Sequence, residues 1–195
     1  MEVTPGYFNT LARQRRSVFP KQFDTTKKVD DAIIREILIN ATWAPNHGQQ
    51  EPWFFKVFTG QGLNKLAEIQ SKFYLETAGE NFKADKLEKM QKQPLLASHI
   101  ISLGMKRNTG SQIPEIEDIE AVACAVQNIY LSVAAYGLGG YWTTGGVTYN
   151  EKAKTFFGLG ERDKLLGFFY IGHVAVPSPS AKRAAIEEKT EWVRE

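Results

Sequence analysis

Apolar side chains recur along this chain with two different periods, and the changeovers mark its elements. Between Asp30 and Thr42, residues Ile33, Ile34, Ile37, Leu38 and Ala41 return at helical spacing on one face. Asp30 and Asp31 favour the positive end of that helix's dipole, and Pro45 stops the helix soon after. Trp53 to Thr59 follows as a strand, rich in aromatic side chains. Gly62 to Glu76 and Asn81 to Gln91 predict two further helices, the second so polar that it must lie largely exposed. Ser98 to Lys106 predicts a strand.

The strongest helical pattern spans Glu117 to Gly137. Ile119, Val122, Ala123, Val126, Ile129, Tyr130, Val133 and Ala134 keep the period, while Ala121, Cys124, Ala125 and Ala135 fill much of the remaining surface. A helix apolar around most of its girth must be covered on most sides, as a central core helix or a subunit interface. Gly137 is a natural stop. A short glycine-rich stretch, a helix near Asn150 to Phe157 and a last strand from Lys164 to Val176 complete the pattern. Helices and strands do not alternate strictly, which favours an α+β fold over a doubly wound parallel sheet.

Composition narrows the function classes. The 195 residues suit one domain over the whole chain, and 43% hydrophobic with 24% charged residues is an ordinary globular mix. A formal charge of +2 implies neither nucleic-acid nor membrane binding. Cys124 is the single cysteine, so there is no intrachain disulfide and no cysteine zinc cluster. His47, His99 and His173 lie far apart, without the close spacing of zinc motifs, and no metal is expected. The first residues carry no apolar core of a signal peptide, and no run reaches membrane-spanning length, so a cytoplasmic location is expected.

Three segments could carry chemistry. "RQRRS", Arg13 to Ser17, offers forked donors and a hydroxyl suited to a phosphate, or is a basic helix end complementing the dipole. Lys182 and Arg183 form a second basic pair in the tail. "WAPNHGQQEPWFF", Trp43 to Phe55, sets a polar loop against an apolar strand. It is either a plain helix-to-strand turn or a loop whose Asn46 and His47 face a ligand. "GLGGYWTTGGVT", Gly137 to Thr148, fails the dinucleotide fingerprint because Trp142 falls where the last glycine is required and the glycines follow a helix. It remains a stretch whose exposed backbone could approach a flat ring and donate to its edge. No nucleophilic triad, paired-carboxylate signature or phosphate loop is present.

Together these segments resemble the nitroreductase family of flavin-dependent NAD(P)H oxidoreductases, in order over almost the whole chain. The "RRS" at Arg15, Arg16 and Ser17 resembles the family's FMN-phosphate motif. "APNHGQQEPWFF" is similar to its segment with Pro45, Pro52 and Trp53 in register. "AVQNIYLSVAAYGLGGYWTTG" resembles its long central helix and the following turn, and "FGLGERDKLLGFFYIGHVA" the approach to its last strand. The resemblance implies an α+β fold around a mostly antiparallel sheet, and a homodimer with two non-covalent FMN molecules at the interface. It places Arg15, Arg16 and Ser17, helped by Lys182 or Arg183, on the FMN phosphate. Pro45, Asn46 and His47 would contact the isoalloxazine ring across the interface. Trp142, Thr143, Thr144 and Gly145 would line the ring's other side, with an amide near Thr144 or Gly145 donating to N5.

The chain departs from the family pattern at Phe19, where many relatives carry a basic residue, and at Trp43 and Thr143, where some carry Arg. The implied activity is ping-pong reduction of nitroaromatics, quinones or activated alkenes by NADH or NADPH, with no side chain assigned as catalytic acid or base. Another redox reaction on the same fold, or flavin binding without turnover, are the alternatives.

Overall fold

The computed structural model describes residues 4–195. The described elements run in the order α1 (Pro5–Gln14), α2 (Asp31–Ala41), β1 (Trp53–Thr59), α3 (Gln61–Ala78), α4 (Ala84–Lys92), β2 (His99–Met105), α5 (Glu115–Ala135), β3 (Leu138–Thr143) and β4 (Lys164–His173). The strands make one antiparallel sheet in the order β1-β2-β4-β3, so the fold is α+β. No helix among the described residues is long and apolar enough to cross a membrane.

Strand alternation sorts the core into two faces. Ile101, Leu103 and Met105 of β2, with Phe169 and Ile171 of β4, pack against α2 and α5. Ile100, Phe168 and Tyr170 point the other way, into a second cluster with Leu63 and Leu66 of α3 and with Phe157. Every residue of β2 is buried, as a strand covered on both faces must be. The start of α2 is fixed by the Asp30 carboxylate, which accepts from the Ala32 N–H at 2.8 Å, a cap worth about 1 kcal/mol.

The periodic segments form where the pattern places them, with three differences. Glu151–Phe157 is a 3-10 helix rather than an α-helix, capped by Asn150 and ended by left-handed Gly158. β4 stops at His173, because the N–H groups of Ala175 and Val176 both turn to the Gln22 carbonyl, at 2.9 and 3.1 Å. The largest difference is β3. The glycines after α5 are not an open backbone stretch; Gly139 and Gly140 lie buried inside a strand paired with β4. A Cβ on Gly140 would sit 2.8 Å from the Phe169 ring and 3.2 Å from Val133, so these glycines let a strand approach α5 and β4 closely.

α5 is the other element whose pattern left two readings open. Ala121, Val122, Ala125, Val126, Ile129 and Val133 are buried against the sheet and α2. Ile116, Ala123, Cys124 and Tyr136 remain exposed within the single chain.

Candidate functional site

The C-terminal end of α5 gathers three distant parts of the sequence around one hydroxyl. Tyr130 Oη lies 3.2 Å from Ser17 Oγ and accepts the Trp142 backbone N–H at 2.9 Å. The Arg15 guanidinium stacks over the Tyr130 ring, 4.5 Å from its centre. Ser17 pairs with Gly140 as a short parallel bridge, reinforced by Val18 N–H donating to the Gly140 carbonyl at 2.9 Å. The end of α1 is thereby stitched to β3, which explains why "RRS" and "YWTTG" meet despite their separation in sequence.

Two donors here are left over. Arg15 Nη1 and Arg16 Nε are buried and have no hydrogen-bond partner among the described residues. Arg16 Nη1, by contrast, donates to the carbonyls of Arg13 and Arg15 at 2.6 and 2.8 Å, so the side chain is folded back over the end of α1. An unpaired buried donor on a cationic group is costly, and an anion accepting from it would recover about 1.5–3 kcal/mol per bond.

Beyond Trp142 the chain leaves the sheet. The Trp142 indole is occupied structurally, donating to the Leu166 carbonyl at 2.9 Å. Thr143 is half-buried, while Thr144 and Gly145 are exposed. Gly145 N–H donates to Thr143 Oγ1 at 3.3 Å, a long local bond that shapes the turn. Gly167 on the neighbouring strand makes this geometry available: its φ is +119°, and a Cβ there would come within 2.3 Å of the Thr143 carbonyl oxygen. The turn forms one wall of a cavity of 150 Å³ shared with α3, α4 and β4.

The Trp43–Phe55 loop stands at the other end of α5. His47 Nδ1 meets Glu117 Oε2 at 2.6 Å, in the first turn of that helix. Glu117 and Tyr130 are 13 positions apart. At 1.5 Å per helical residue, that separates the two groups by about 20 Å along the axis. Asn46 Oδ1 accepts the Glu51 N–H at 3.0 Å, and Asn108 Nδ2 holds the Gln50 carbonyl at 2.9 Å. Gln49 and Glu51 sit at φ of +53° and +46°, in the left-handed region that non-glycine residues seldom enter. The loop is therefore held in a demanding shape while Trp43, Pro45 and His47 face outward, Trp43 being 82% exposed.

Not every predicted residue joins a cluster. Lys182 and Arg183 are exposed, and Arg183 Nη1 donates only to the Lys182 carbonyl, at 3.2 Å. The tail is rooted nearby instead by Ser178, whose hydroxyl donates to the Ser17 carbonyl at 2.7 Å. Phe19 packs against Tyr141 with the rings tilted, 4.7 Å between their centres, a packing role with no basic character. Sequence reasoning missed Tyr130 and Ser178. Tyr130 reads as one more core position, although a hydroxyl on an otherwise aliphatic helix face signals a buried polar partner.

Known proteins share the fold. The model of the nitroreductase family matches residues 12–173. YdjA of Escherichia coli (strain K12), provisionally named as an NAD(P)H nitroreductase, is 30% identical over 139 residues, covering 71% of this chain and 74% of that protein. A crystal structure of a nitroreductase-like family protein from Bacillus cereus is 30% identical, covers 99% of both chains and superposes with a TM-score of 0.84. The FMN-dependent nitroreductase NfnB from Mycobacterium smegmatis, solved in complex with NADPH, has the same fold at a TM-score of 0.71 and 19% identity, covering 96% of this chain and 98% of that one. With a family model spanning most of its length and a 30%-identical relative alongside it, the chain belongs to the nitroreductase family.

Proposed function

We propose that the chain is an FMN-dependent oxidoreductase that uses NADH or NADPH to reduce electron-poor acceptors such as nitroaromatics, quinones or activated alkenes. The observation that carries this reading is the pair of buried, unpartnered guanidinium nitrogens on Arg15 and Arg16, beside the Ser17 hydroxyl. They fit a phosphate, whose oxygens would accept from both arginines. Lys182 or Arg183 would reach that phosphate from the tail, four or five residues beyond the Ser178 anchor.

The Thr143–Gly145 turn would present its backbone to one edge of the isoalloxazine ring. Pro45, Asn46 and His47 would contact the ring across a homodimer interface, because they stand about 20 Å along α5 from Tyr130 in their own chain. The exposed Ile116, Ala123 and Cys124 of α5, Tyr136 just past its end, and Tyr7 and Phe8 of α1 would supply an apolar surface for that interface. The whole chain would form one FMN-binding domain, working in the cytoplasm.

FMN, when bound, would supply the redox chemistry between NAD(P)H and the acceptor. The protein's task is placement: it anchors the phosphate, covers one side of the ring and leaves the other open. Donor and acceptor would use that open side in turn, which makes the kinetics ping-pong. No side chain is needed as acid or base for this division of labour, and none is assigned.

The test is the visible spectrum of the purified protein under anaerobic conditions. The reading expects a flavin band that bleaches with NADH or NADPH and returns with menadione or a nitroaromatic. A colourless protein would remove the cofactor, and a flavin that stays oxidised would turn the chain into a binding protein without turnover.

A further inference from the structure

The cavity beside the Thr143–Gly146 turn has a one-sided charge. Among the groups lining it, Lys86 and Lys89 of α4 alone are charged. The remaining polar surface is neutral: Gln70, Gln93, the Tyr170 hydroxyl and the turn itself. Burial raises the Tyr170 pKa far above its ordinary value, so this wall carries no anionic counter-charge. Gln70 is itself only 4% exposed.

The two lysines are also free of acidic partners among the described residues. On the same helix, Glu88 is engaged by Lys92 at 2.5 Å. Asp85 and Glu88 line a separate cleft beside Phe19, which Lys89 borders as well. Lys86 rests over the Tyr74 ring at 5.0 Å, an interaction that leaves its ammonium charge uncompensated. The turn packs directly on this wall: a Cβ on Gly146 would lie 3.8 Å from Gln70 and 3.9 Å from Met90.

Size decides what could enter. The cavity volume of 150 Å³ equals that of about five water molecules. That is room for a carboxylate or phosphate. It is a side pocket for a head group, next to the turn that would border the ring.

We propose that Lys86 and Lys89 read an anionic group on the ligand that reacts at this site, either a phosphate of the nicotinamide donor or the carboxylate of an acidic acceptor. This inference rests on the oxidoreductase reading above, because it takes the Thr143–Gly145 turn as the edge of the flavin site. The anion is held in the side pocket while the reacting part of the same molecule lies toward the turn.

The experiment uses FMN-loaded protein and benzoate, an unreactive anion whose binding is followed by the change in the bound flavin's absorbance. Lys89→Gln and the Lys86→Gln/Lys89→Gln pair should raise the benzoate Kd at least tenfold, leave benzamide binding unchanged and keep the FMN affinity. Lys89→Arg should restore most of the loss. Two further arms separate the sources. Loss of discrimination between NADPH and NADH during flavin bleaching assigns the pocket to a donor phosphate. Weakened use of 4-nitrobenzoate with unchanged use of 4-nitrobenzyl alcohol assigns it to an acidic acceptor. An unchanged benzoate Kd in a variant that still holds FMN and is bleached overturns the proposal and leaves the oxidoreductase reading intact. A protein that never holds FMN overturns both.

Discussion

The two ends of α5 are built on opposite plans. At its C-terminal end, Ser17, Tyr130, Gly140 and Trp142 are tied together inside one chain, with two guanidinium nitrogens left without acceptors. At its N-terminal end, the Asn46–Glu51 loop is braced by its own hydrogen bonds but turns Trp43, Pro45 and His47 outward. One end is closed by contacts within the chain except for two buried donors; the other is a preset and largely exposed surface. The contrast teaches that rigidity and completeness are separate properties of a site. It also fits two copies of the chain dividing one binding site between them.

Four substitutions sharpen or break this contrast. The largest effect is expected from Gly167→Val, which forces a side chain into a φ of +119° and against the Thr143 carbonyl. It should cost about 3 kcal/mol or more in a urea-unfolding series, by combining backbone strain with a clash. A loss below about 1 kcal/mol would mean that the β3 end is not held as tightly as its geometry implies.

Next comes Arg16→Ala, which should weaken FMN retention roughly ten- to a hundredfold if one charge-assisted bond is lost. Unchanged retention in an FMN titration would take Arg16 out of the site. Tyr130→Phe removes the hydroxyl linking Ser17 to Trp142 and should cost about 1 kcal/mol of stability. His47→Ala should be the mildest for folding. Its pairing with Glu117 joins a 62% exposed side chain to a 37% exposed one, and such pairs contribute at most about 1 kcal/mol. Its effect should show instead in flavin affinity. If thermal unfolding fell further for His47→Ala than for Tyr130→Phe, the division between a wired end and a presented end would be wrong.

Much of the fold was readable from local pattern: α2 and α5 show helical periodicity, while β1 and β2 are apolar runs of strand length, β2 being buried at every position. The β1 bounds agree residue for residue, and α2 differs by only one residue at each end. β3 was not readable, since its first half is Leu138, Gly139 and Gly140. Glycine gives no alternation to detect, and its reason for being there lies in the Phe169 ring of β4 and in Val133 on the preceding helix. Arg15 and Ser17 stand out in sequence as candidate phosphate ligands, because a basic cluster with a hydroxyl is a local signal. Tyr130 was not, because its role depends on Ser17 and Trp142 arriving from opposite sides of the sequence. The cavity lysines were hidden for a similar reason. On α4 they look like the solvated face of a polar helix, and only the packing of α4 near the turn gives them a shared direction.

α5 also sets the angular phase between the two clusters at its ends. Because each residue advances a helix by about 100°, inserting one residue between Glu117 and Tyr130 would swing the Tyr130 hydroxyl to a different side. Deleting one would do the same in the other sense. Changes of length are therefore barred from this stretch, while the Asn108–Pro114 connection and the residues after Ser178 can absorb them. Divergence within such a scaffold must proceed by exchanging side chains along α5 and by remodelling the segments outside it.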